Sequence, residues 1–158
     1  MISEIQELAA EAKSYGLAVV VWSYPRGGNI SKEGETAVDI VSYAAHMAAL
    51  IGAHIIKVKP PTEFLEDTNA KKVYVDNNIP ISTLKDRIKN VVESCFQGKR
   101  IVIFSGGSAK DIKGLLNEIK EIHQGGGFGS IIGRNSFQRP KKEALVLLSK
   151  IIEIYKGK

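Results

Sequence analysis

A chain of 158 residues has room for one domain with a proper core, and 44% hydrophobic and 25% charged residues exclude wholesale disorder. The net charge of +5 is modest, and lysines alternate with acids along the helical segments, so it suits a small anionic ligand and gives no argument for nucleic acid. The single cysteine excludes an internal disulfide or a cysteine zinc site, and with no basic-then-apolar leader and no apolar run long enough for a bilayer, a cytoplasmic protein that binds neither membrane nor nucleic acid is expected.

The segment SEIQELAAEAKSYG puts Ile5, Leu8, Ala9 and Ala12 on one helical face and closes at Gly16. The short apolar run LAVVVWS follows as a strand, then SYPRGG as a turn. TAVDIVSYAAHMAALIG is a second helix ending at Gly52, followed by the strand AHIIKVK. The connection PPTEFLEDTNAKKVYVDNNIP, residues 60–80, exceeds the usual loop length and is expected to be a functional flap or partly helical. ISTLKDRIKNVVESCFQG closes at Gly98 before the strand RIVIFS, with Cys95 expected in the core rather than as a nucleophile. AKDIKGLLNEIKEIHQGG precedes the strand FGSIIG, and PKKEALVLLSKIIEIYKG is a closing helix with Pro140 near its first turn. One helix followed by four strand–helix units predicts a single α/β domain over residues 1–158, with a parallel sheet covered by helices.

Polar residues gather just after the strands, where ligands bind in parallel α/β folds. In KVK, Lys57 and Lys59 are two apart and so share one face of the strand. Two readings stand. Burial and a neighbouring ammonium both favour the neutral amine, which would make Lys57 a nucleophile for carbonyl carbon; alternatively both lysines snorkel into solvent. Tyr24, just past the first strand, is either a proton shuttle beside that lysine or a surface aromatic in a Pro–Gly turn. Trp22 has the same parity as Tyr24 and lines a pocket or the core. SGGSAK and GRN, after the last two strands, offer glycine-rich backbone and an arginine fork for a phosphate. His46, His54 and His123 lie away from these ends and show no metal-ligand spacing.

Taken together, VVVWSYPRGG, GETAVDIVSYAAHMAALIGAHIIKVK, IVIFSGG and GSIIGRNSFQR resemble the class I fructose-bisphosphate aldolases of archaeal and bacterial type, in unbroken order over nearly the whole chain. The resemblance implies a Schiff-base (β/α)8 TIM barrel needing no metal or other cofactor, and cleavage of fructose 1,6-bisphosphate to dihydroxyacetone phosphate and glyceraldehyde 3-phosphate. It implies Lys57 as the Schiff-base lysine and Tyr24 as proton donor and acceptor. It also implies substrate contacts from Trp22, Arg26, Lys59, Ser105, Gly106, Gly107, Gly133 and Arg134. The alternatives are a Schiff-base or transaldolase-like enzyme for another phosphorylated sugar, or an inactive truncated barrel that only binds phosphate.

The family barrel has eight strands, and this chain matches its C-terminal half. Such a half leaves two unpaired strand edges and an apolar concave face, for which Ile55, Val19, Val21 and Ile103 are the expected lining. A homo-oligomer, or a separate N-terminal half-barrel, is expected to cover it.

Overall fold

The computed structural model describes residues 2–106 and 111–157. The chain runs α1 (Ile2–Ser14), β1 (Val20–Trp22), α2 (Val38–Leu50), β2 (Ile55–Val58), α3 (Thr68–Asp76), α4 (Leu84–Ser94), β3 (Ile101–Ser105), α5 (Ile112–Gln124), β4 (Gly129–Ile131), α6 (Arg134–Phe137) and α7 (Lys141–Tyr155). A single 3-10 turn, Gly34–Thr36, leads into α2. The four strands form one parallel sheet in the order β1-β2-β3-β4. Each crossover carries a helix, the connection that parallel neighbours require. Strands and helices alternate as in half of a TIM barrel.

Side-chain oxygens start three of the helices. Asp67 accepts from the amide of Ala70, Thr83 from Asp86 and Asp111 from Gly114, each satisfying an amide that the first turn leaves unpaired. Residues 60–80 therefore hold α3 within a long connection, the partly helical outcome. Arg87 fastens that connection down, donating to the carbonyls of Pro61 (2.9 Å), Ile81 (2.7 Å) and Ser82 (3.0 Å).

The sheet's two faces differ sharply. Ile56 and Val58 of β2 and Val102 and Phe104 of β3 are buried against α2 and α4 in one core, which also takes Cys95 and is flanked by Val21. A smaller core joins α5 to α7 through Leu115, Ile119, Leu147 and Ile151. Because residues alternate along a strand, the other face carries Val20 and Trp22, Ile55 and Lys57, Ile101 and Ile103. The register pairs Val20 with Ile55 and Trp22 with Lys57, and Lys57 in turn with Ile103.

This corrects part of the expected lining. Ile55 and Ile103 do lie on the open face, but Val21 packs toward the helices and Val19 precedes the strand with the same parity. Val20 and Trp22 take their place, exposed. Three consecutive valines carry no parity of their own, so only the pairing with β2 decides which of them turns inward.

Candidate active site at the strand ends

The site begins where β1 stops. The amide of Ser23 donates to the carbonyl of Lys57 at 2.9 Å, extending the pairing one residue, and the Ser23 hydroxyl donates to Ala44 of α2 at 2.7 Å. The backbone is thus fixed immediately before Tyr24. Trp22 and Tyr24 share a parity and meet edge to face, with ring centroids 6.4 Å apart and planes at 62°.

Lys57 stands on the open face yet is only 6% exposed. Its cover is aromatic: Nζ lies 3.5 Å from the centroid of the Trp22 ring and 5.8 Å from that of Tyr24. A lysine on the end of a flexible stem is thereby held in one place by the π faces of its neighbours. Trp22 itself is 65% exposed, so it is the layer between Lys57 and solvent. Tyr24 and Lys57 are therefore neighbours.

Beyond the ends of β2 and β3 lies a cleft of about 620 Å³, lined by Lys59, Ser105, Gly106 and Arg134, together with Arg87, Glu63 and Glu118. Three cations against two acids suit an anionic ligand. The geometry qualifies two expected phosphate contacts. The amide of Gly106 donates to the carbonyl of Ile131 at 2.8 Å, so that N–H serves the approach of β4. Gly133 precedes α6 and is not among the lining residues. Gly107 lies outside the described residues.

Lys57, Trp22, Tyr24 and Arg26 do not line this cleft. Beside Lys59 stands Glu35, in the turn that leads into α2. Its carboxylate accepts from Lys32 Nζ at 3.0 and 3.1 Å and pairs with Lys59 Nζ at 3.7 Å. The hydrogen bond from Lys32 holds the Glu35 carboxyl below the ordinary carboxylate range. Burial opposes this, while the charges of Lys32, Lys59 and Arg26 reinforce it. A glutamate in a turn has no sequence signature as an ion-pair hub, because its three partners come from separate positions along the chain.

The segments after β1 and β2 are laced together around this hub. Thr62 donates through its amide (2.7 Å) and its hydroxyl (3.0 Å) to the carbonyl of Thr36. The Glu66 carboxylate accepts from the Ser31 amide (2.6 Å) and hydroxyl (2.7 Å), and Asp39 accepts from the amides of Glu66 (3.2 Å) and Asp67 (2.9 Å). The histidines stay structural. His46 Nδ1 meets the Ser94 carbonyl at 2.7 Å, His54 Nδ1 accepts from the Val19 amide at 3.0 Å, and His123 stacks edge-on with Tyr155.

Residues 1–139 match the family described as DeoC/LacD family aldolase. A probable class 1 fructose-bisphosphate aldolase of Chlamydia muridarum is 33% identical over 168 residues, spanning 98% of this chain and 47% of its own. The solved structure of an archaeal fructose 1,6-bisphosphate aldolase superposes with a TM-score of 0.77 at 30% identity, covering 100% of this chain and 52% of that one. A further archaeal structure, with its catalytic lysine covalently bound to the carbinolamine intermediate of the substrate, gives 0.75 at 28% identity, covering 98% and 51%. The chain thus spans about half the length of the curated relatives it matches.

Proposed function

This chain belongs to the DeoC/LacD family of aldolases, and on that premise we propose that it carries the Schiff-base machinery of a class I fructose-bisphosphate aldolase. The observation that supports this most directly is the placement of Lys57 Nζ within 3.5 Å of the Trp22 ring and 5.8 Å of the Tyr24 ring, at the carboxyl ends of parallel strands.

In this reading the Lys57 amine, having given up its proton, attacks the C2 ketone of fructose 1,6-bisphosphate. The carbinolamine loses water to a protonated imine, which withdraws electrons from C3. Tyr24 takes the C4 hydroxyl proton. The C3–C4 bond then breaks, glyceraldehyde 3-phosphate leaves, and the bonding pair remains as an enamine. Protonation at C3 and hydrolysis of the imine release dihydroxyacetone phosphate and restore the lysine. Lys59, Ser105 and Arg134 hold a phosphate in the adjoining cleft, while Trp22 and Arg26 face the sugar. Gly106 lines the same cleft without a side chain, which leaves room for the phosphate, while the resemblance alone carries the roles expected of Gly107 and Gly133.

The chain brings only one wall of the pocket. A second copy of this chain, or a half-barrel of the same architecture, covers the open face in the active assembly. The setting is cytoplasmic, in keeping with phosphorylated sugars as substrates. Among the described residues, no helix is long and apolar enough to cross a membrane.

The test is reductive trapping. Borohydride with dihydroxyacetone phosphate should leave a stable secondary amine on the peptide bearing Lys57, and Lys57→Met should abolish it. A parent chain that takes no adduct at saturating ketone, or takes it on another lysine, overturns the assignment. Comparing dihydroxyacetone phosphate with other phosphorylated ketoses sets the substrate class.

A further inference from the structure

We infer that Glu35 is a positioning residue, which fixes the Lys59 ammonium at the mouth of the phosphate cleft and keeps it apart from Lys57. The inference rests on the aldolase reading for its substrate and adds to it a residue with no expected role.

The like-charge problem of KVK is the starting point. Lys57 and Lys59 share a parity, so without a counter-charge their two ammonium groups compete for one face of β2. Each has instead its own partner: Trp22 at the end of β1 for Lys57, at 3.5 Å, and Glu35 in the segment after β1 for Lys59, at 3.7 Å. A free lysine retains several rotatable bonds, and ordering it opposes binding through lost side-chain entropy. An ammonium already held where a phosphate arrives avoids much of that ordering.

Glu35 is itself well anchored. Its side chain is 12% exposed against 33% for Lys59. It sits in the 3-10 turn Gly34–Thr36, and the Thr36 carbonyl takes both hydrogen bonds from Thr62. Thr62 follows Lys59 by only the two ring-stiffened residues Pro60 and Pro61. Carboxylate and ammonium thus hang from one closed, stiff circuit: Glu35, Thr36, Thr62, Pro61, Pro60 and Lys59. Thr36 and Lys59 both line the cleft. Lys32 and Arg26 add two more cations around the single carboxylate, so the cluster keeps a net positive charge toward an incoming dianion. The carboxylate therefore orients the cations without cancelling their attraction.

The experiment uses Glu35→Gln, Glu35→Asp, Lys59→Met and the double Glu35→Gln/Lys59→Met variant in the full chain. The concentration of ketone giving half-maximal borohydride adduct at Lys57 is compared for dihydroxyacetone phosphate and for dihydroxyacetone, which has no phosphate. Glu35→Gln should raise it about tenfold for the phosphorylated ketone and less than twofold for the other. Glu35→Asp should recover part of the loss, and the double variant should be no worse than Lys59→Met alone. An equal effect on both ketones, or additive losses in the double variant, shows that Glu35 acts on the fold or independently of Lys59 and overturns the inference. If the parent forms no adduct with either ketone, the aldolase reading fails separately, and inorganic phosphate titrated by NMR decides the question. A roughly tenfold weaker phosphate affinity in Glu35→Gln than in the parent upholds the inference. Equal affinity, tighter binding by the variant, or no binding by the parent overturns it.

Discussion

Lys57 owes its seclusion to one exposed indole. Cation–π contacts at partly solvated sites contribute about 0.5–1 kcal/mol, too little to hold a fold but enough to hold a side chain in place. Trp22→Ala should therefore leave the melting temperature nearly unchanged while increasing the rate at which an amine-selective acylating reagent labels Lys57 several-fold. Unchanged labelling, measured by peptide mass analysis against Lys59 as internal reference, would mean that backbone rather than the indole covers the amine. Glu66 is a second residue with a readable function. The backbone and hydroxyl hydrogen bonds from Ser31 lower its carboxyl pKa from 4.5, so the folded state binds its proton less readily than the unfolded chain. Its contribution is present above the unfolded value and lost as pH falls through the lower folded one. Corrected hydrogen exchange at the Ser31 amide should accelerate below about pH 4.5 in the parent. In Glu66→Gln, which removes the titrating group, that pH step should be absent.

At the scale of elements, α3, α4 and α5 each begin at a side-chain cap, and α5 ends in a close approach to α4. Thr83 Oγ1 accepts from the Asp86 amide at 3.1 Å and donates to the Asp86 carboxylate at 2.6 Å, the two bonds that start α4. Thr83→Ala should lower stability by about 1 kcal/mol in urea unfolding, the usual loss at an N-cap. Where α5 ends against α4, Gly125 has no room for a side chain. A Cβ there would come within 2.6 Å of the Lys85 carbonyl and 2.7 Å of Ile88. Gly125→Ala should therefore be the more damaging change, about 1–3 kcal/mol through overpacking against backbone that cannot give way. If Thr83→Ala proved the costlier of the two, the α4–α5 junction would have to be looser than these distances allow.

The whole molecule exposes more surface than its mass warrants. Its accessible area is 9577 Å², whereas a monomer of 17.2 kDa ordinarily shows about 7,800 Å². The excess of roughly 1,800 Å² is about twice one partner's share of an ordinary interface. Exposed apolar side chains stand on both strands that end the sheet: Val20 and Trp22 on β1, and Ile131 on β4 with Phe128 just before it. Two parallel edges at opposite ends of one sheet allow a two-fold pair in which β4 of each copy meets β1 of the other. The purified chain should sediment as a self-associated species and bind a hydrophobic dye when diluted. A monodisperse monomer that melts cooperatively and binds no dye would contradict this expectation.

Much of this protein was legible along the chain because its determinants are local. Helical periodicity closed by glycine placed α1, α2, α4, α5 and α7, and four short apolar runs placed the strands, since one buried face imprints a period of 3.6 and full burial an apolar run. Alternation with helices then implied parallel pairing, and polar residues after each strand marked the end at which chemistry gathers. Spacing alone put Lys57 and Lys59 on one face and Tyr24 beyond the neighbouring strand. What spacing could not decide was the inward parity of β1. The run Val19, Val20, Val21 is uniform, and only the pairing of Val20 with Ile55 turned Val20 and Trp22 to the open side. Nor could it reveal Glu35, whose partners Lys32, Arg26 and Lys59 converge only because Thr36 and Thr62 tie two loops together. The commitment of the Gly106 amide to Ile131 was equally invisible, being a bond between strand ends distant in sequence. Local pattern fixes which face a segment offers; long-range contacts decide which charges and amides are left for a ligand.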